Sequence, residues 1–98
     1  MRQQTKKTFN FFDRVNVTTG DFGDCAVSWD FISSGILLLN EGTAGNVVQY
    51  SFDGISVHGD LNPSLASAGI GFDERHQCKI YFRLSSGSGA LVRVEAWA

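Results

Sequence analysis

The chain has 98 residues, with eight Lys or Arg against ten Asp or Glu and a net charge of -2. That length makes one domain, and 43% hydrophobic with 12% aromatic content makes one that folds around a core without metal or disulfide staples. The charge balance excludes a broad nucleic-acid-binding face, and the longest apolar run, Ile36 to Leu39, is far too short to span a membrane.

Met1 to Thr8 carries Arg2, Lys6 and Lys7 with no anion and no apolar periodicity. It reads as a flexible basic arm (residues 1–8) that orders on a partner, ahead of a β-domain over residues 9–98. The arm lacks the apolar segment of a secretory signal, so cytoplasmic synthesis is expected and the sequon Asn16-Val17-Thr18 carries no weight. Strand character begins at Phe9-Asn10-Phe11 and runs through Val15 to Thr18, with a bend at Asp13-Arg14 and a turn-rich loop at Thr19 to Asp24.

From Cys25 to Ile32, Val27, Trp29 and Phe31 share one face and Ser28 and Asp30 the other, the period of two of a half-buried strand. Ile36 to Leu39 is apolar on both faces, as a central strand is. Val48, Tyr50 and Phe52 then point one way and Val47, Gln49 and Ser51 the other. Asp53-Gly54 has the chemistry of a tight hairpin turn into Ile55 to Val57. Gly59 to Gly69, with Pro63, is a loop or a single helical turn, and Ile70 to Phe72 a short edge strand. Lys79 to Leu84 turns Ile80, Phe82 and Leu84 inward and Lys79, Tyr81 and Arg83 outward. After the Ser85 to Gly89 turn, Val92, Val94 and Ala96 face in, with Leu91, Arg93, Glu95 and Trp97 out. Seven or eight short strands without a helix predict an all-β fold, an antiparallel β-sandwich that is jelly-roll-like or immunoglobulin-like.

Chemistry is sparse. Cys25 and Cys78 fit no zinc or redox spacing and read as buried free thiols, a disulfide being the minor alternative. Ser56, His58 and Asp60 alternate along one strand face. Residues so placed stand roughly 6.5–7 Å apart and project in parallel, whereas a nucleophile and its base need hydrogen-bond contact. Asp53, His58, Asp60, Asp73, Glu74 and His76 match no calcium or zinc pattern. No catalytic residue, metal site or cofactor is therefore expected, and no enzyme activity.

Most aromatics read as core: Trp29, Phe31, Phe52, Phe72 and Phe82, with Tyr50 at the rim. Tyr81 and Trp97 fall instead on outward faces beside Arg83 and Arg93, a mixture enriched at interfaces; the alternative is that this face packs under the N-terminal segment. The terminal strand Ala90 to Trp97 offers little protection as an edge. These features predict a contact surface of Tyr81, Arg83, Arg93 and Trp97 on one face, with Arg2, Lys6 and Lys7 on the arm.

The runs Val48-Gln49-Tyr50-Ser51-Phe52-Asp53-Gly54, Val57-His58-Gly59-Asp60-Leu61, Tyr81-Phe82-Arg83 and Val92-Arg93-Val94-Glu95-Ala96-Trp97 resemble small β-sandwich virion proteins of tailed bacteriophages, over roughly Phe31 to Ala98. The resemblance implies a non-enzymatic structural protein, made in the host cytoplasm and located in the virion. Such a protein binds an assembled shell or tail in many copies, as capsid decoration or cement or as a neck or tail component. Its partners would be the major capsid, neck or tail protein and copies of itself, a trimer being the expected oligomer, with no membrane and no specific nucleic acid. The competing reading is a carbohydrate-binding or adhesion module that stacks exposed Trp or Tyr on sugar rings.

Overall fold

The computed structural model describes residues 10–63, 70–73 and 75–98. The basic segment with Arg2, Lys6 and Lys7 lies outside them.

Among the described residues eight strands form two four-stranded sheets: β1 (Asn10–Val17), β2 (Ala26–Ser28), β3 (Gly35–Asn40), β4 (Val47–Ser51), β5 (Gly59–Leu61), β6 (Ile70–Asp73), β7 (Lys79–Ser86) and β8 (Ala90–Trp97). One sheet runs β1-β8-β3-β6 and the other β2-β7-β4-β5, every neighbouring pair antiparallel. Among the described strands, β4 and β5 are the one consecutive pair within a sheet; every other consecutive pair is divided between the two sheets. This is the strand order of a jelly roll, not the immunoglobulin arrangement.

The cause is visible in the alternation. Ile36 and Leu38 of β3, Ile80 and Phe82 of β7, and Val92 and Val94 of β8 are wholly buried between the sheets, joined by Val17, Val48 and Leu61. Trp29 completes this core, its indole N–H donating to the Gln77 carbonyl at 3.0 Å. Phe31, Phe52 and Phe72 are half-buried against its rim. Three polar residues are buried among the described residues, Ser33, Asn40 and Ser51; of these Asn40 donates from Nδ2 to the carbonyls of Asn46 (2.8 Å) and Leu61 (2.9 Å) and accepts from the Gly42 N–H (2.8 Å).

Several local expectations change. β1 runs without a bend at Asp13-Arg14. β2 stops at Ser28, because the chain leaves the sheet to cross towards β3. Asp53-Gly54 does not make a two-residue hairpin, since Tyr50 pairs with Gly59 and a longer loop lies between. Asp53 Oδ1 there accepts from the Ile55 and Ser56 N–H groups, Ser51 Oγ accepts from the Gly54 N–H, and Gly54 takes a φ of +79°. The start of the presumed Gly59 to Gly69 excursion is strand β5; residues 64–69 lie outside the described set. The cysteines are free, as expected, but Cys78 is exposed and Cys25 only half-buried. Burial pushes the Cys25 thiol pKa up.

β8 is not an edge. It lies between β1 and β3, because its two rows of hydrogen-bonding groups are both used. The Ser34 and Glu41 N–H groups donate to the Trp97 and Leu91 carbonyls on the β3 side, so the alternate residues Ala90 to Ala96 bond β1. It follows that Asn10, Phe12, Arg14 and Asn16 turn their backbone groups to the open edge of β1. There the Arg14 N–H is capped at 2.8 Å by the Asp13 carboxylate.

Candidate functional site

The four described residues expected to share one contact surface divide between opposite faces of the sandwich. Tyr81 and Arg83 lie on β7 and face out from the second sheet, whereas Arg93 and Trp97 lie on β8 and face out from the first. Alternation tells in from out. It does not say which side of the sandwich a strand occupies, and the short β7–β8 turn crosses from one sheet to the other.

The outer face of the second sheet is occupied by its own neighbours. Arg83 Nε donates to Gln49 Oε1 at 2.7 Å, and its guanidinium lies 4.5 Å from the Phe22 ring centre. The Tyr81 ring packs over Gly54, where an added Cβ would stand 3.0 Å from it, and the Lys79 ammonium sits 5.0 Å from the ring centre.

The outer face of the first sheet is more open. Register places Phe12, Glu95, Leu37 and Gly71 in one cross-strand row and Arg14, Arg93 and Leu39 in the next. Asn10, Trp97, Gly35 and Asp73 form the row at the end of the sheet. The Phe12 ring is 51% exposed and is bracketed by two guanidinium groups, Arg14 at 5.2 Å and Arg93 at 4.9 Å. Such cation–π contacts contribute about 0.5–1 kcal/mol each at exposed sites, enough to orient the ring. Trp97, 37% exposed, lies across Gly35. Arg14 pairs with Glu41 and Arg93 with Glu95, each at 2.8 Å. The Arg93 Nε is buried, and despite that distance its N–H is out of line for a hydrogen bond. Sequence reading missed Phe12, Arg14, Leu37 and Leu39. The signal for the leucines was on the page, in a β3 apolar on both faces; β1, with its uneven alternation, gave none for Phe12.

The end of the sandwich with the β4–β5 loop gathers Tyr50, Phe52 and Phe72, with ring centres 5.4–5.8 Å apart. The Arg75 guanidinium caps Phe52 at 4.0 Å. Tyr50 is raised in pKa, mostly by burial and then by Asp60, against a lowering by Arg75. His58 is committed here, its Nδ1 accepting from the Phe52 N–H at 3.0 Å, so that nitrogen is not engaged with Asp60 as a Ser56, His58 and Asp60 relay would need. Asp53 is held at about 2 by the Ser56 and Ile55 N–H groups, then by the Ser51 hydroxyl. Among the described residues, no three His, Cys, Asp or Glu side chains come together as a metal would need, and no cavity opens.

No family model matches the chain, and a search of curated proteins gives no match. Among solved structures, FeII HppE superposes with a TM-score of 0.51 at 16% identity, over 89% of this chain and 43% of its own. The likeness is one of fold. This chain spans less than half of that protein, and the two histidines here, His58 and His76, are exposed. The Drosophila NLP-core, described in terms of pentamer formation and histone binding, aligns over 91% of this chain and 95% of its own at 21% identity. Its TM-score, 0.45, is too low to argue from.

Proposed function

We propose that this chain is a non-enzymatic virion structural protein that takes its place in an assembled phage shell or tail in many copies, as a decoration, neck or tail component. The observation that carries the reading is the outer face of the first sheet, where Phe12 and Trp97 stand exposed among Arg14 and Arg93. Aromatic and Arg side chains are the enriched anchors of protein interfaces. The resemblance of the Val48 to Gly54 and Val92 to Trp97 runs to small phage virion proteins supplies the partner class. The jelly roll serves capsid and lectin domains alike, so the fold favours neither.

The test is to follow the chain in purified particles from a lysate of the phage that encodes it, by quantitative mass spectrometry. Many copies per particle, lowered by Phe12→Ser, are expected. A chain confined to the soluble fraction overturns the proposal. One observation favours glycan binding instead: the Trp97 indole, seated against Gly35, is 37% exposed, an aromatic surface on which a sugar ring can stack. Retention on a glycan array that Trp97→Ala abolishes would select that reading.

A further inference from the structure

We propose that the outer face of the first sheet pairs with the same face of a second copy, about a two-fold axis running across the strands at the level of Val94. The inference rests on the reading of this face as an interface and names the partner that takes it.

The argument is the order of charges along β8. Arg93 and Glu95 are successive outward residues, flanking Val94. Two sheets stacked face to face keep their strands nearly aligned, and an isologous pair sets each position against its symmetry mate. An axis along β8 would place Arg93 on Arg93 and Glu95 on Glu95. An axis across the strands at Val94 exchanges the two rows, so that Arg93 of each copy faces Glu95 of the other.

The register carries the same exchange across the sheet. Phe12 shares a row with Glu95, and Arg14 shares one with Arg93, so Phe12 of one copy meets Arg14 of the other. Leu37 and Leu39 likewise meet each other, and Trp97 meets Leu91. Charge finds opposite charge, ring finds guanidinium, and leucine finds leucine. The out-of-line Arg93 Nε shows that the contact within one chain leaves this guanidinium imperfectly matched. The face is narrower than the roughly 20–30 residues a side of a standard interface, so a dissociation constant of roughly micromolar order is expected.

Sedimentation equilibrium on the full chain, from roughly 1 to 500 µM to bracket that constant, tests the pair. Wild type should dimerise, and Arg93→Glu and Glu95→Arg should each weaken it at least about tenfold. The deciding arm mixes the two single variants. Across this axis the carboxylate introduced by Arg93→Glu faces the guanidinium introduced by Glu95→Arg. The unchanged Glu95 of the first variant meanwhile faces the unchanged Arg93 of the second, so the mixture should form a heterodimer tighter than either homodimer. Repair within a chain cannot produce that result. If a charge variant fails to fold, disulfide trapping reads the same contact in a Cys78→Ser background: Leu37→Cys mixed with Leu39→Cys should cross-link faster than either alone. A wild-type monomer throughout, or a mixture no tighter than its components, overturns the pair. A monomer that still enters particles overturns the pair and leaves the structural role standing, while a dimer absent from particles supports the pair alone.

Discussion

Trp97 rests so closely on Gly35 that even a single methyl group at that position would overlap the indole ring. The two are cross-strand partners on β8 and β3, and the absence of a side chain on one creates the seat for the other. Gly35→Ala should therefore lift the indole, red-shift its fluorescence and destabilise the fold by about 1–3 kcal/mol, the ordinary cost of overpacking. Because the clash needs both partners, Gly35→Ala added to Trp97→Ala should cost far less than it does in the wild type, and a double-mutant cycle by urea unfolding measures the difference.

The core is expected to respond as a close-packed one. Phe82, fully buried on β7, should cost about 3–5 kcal/mol when truncated to Ala, read as a lower denaturation midpoint at unchanged slope. A loss below about 1 kcal/mol would show that the two sheets close over the gap.

Asn40 ties the β3–β4 loop to the end of β5 through three hydrogen bonds from inside the sandwich. Asn40→Ala strands two carbonyls and one N–H, of which the Leu61 carbonyl is buried and the other two half-buried; a buried group left without its partner costs about 1–3 kcal/mol. A total of about 2 kcal/mol or more is expected. Amide exchange should rise first at Gly42.

Acid should act on the β4–β5 loop through Asp53. Its folded pKa, about 2, is depressed by the N–H groups of Ser56 and Ile55, against an ordinary value of about 3.9. A carboxyl depressed on folding contributes stability that is present above the ordinary value and lost as pH falls from about 4 towards 2. The melting temperature of Asp53→Asn should therefore fall less than that of the wild type across this window. Parallel curves for the two proteins would show that the loop bonds do not couple to folding.

Much of the fold was legible because burial imposes its period on each strand. Val92, Val94 and Ala96 were read as inward and are buried; the two-faced apolar run at Ile36 to Leu39 was read as central, and β3 lies between β8 and β6. What the period cannot carry is the partner of a strand. Arg83 and Arg93 look alike in sequence, outward and close to the same turn, yet they face opposite sides because β7 and β8 belong to different sheets. The β8 edge was misread for a related reason: being last in the chain says nothing about being last in the sheet. β1 closes over it from the other end of the sequence.

The small contact between the Asp13 carboxylate and the Arg14 N–H bears on how growth stops. β1 is the longest edge strand of the molecule, and a bare edge of that length invites another strand. If the face pairs as proposed, a protomer that also paired by its edge would have no reason to halt at two copies. Alternating the contacts would draw it into an open-ended ribbon. By filling one backbone donor from within and setting a charge beside it, Asp13 makes the edge a poor template. With that edge blunted, strand addition would give way to contacts made through side chains, which fit a partner of matching shape and charge where a bare backbone edge accepts any extended chain.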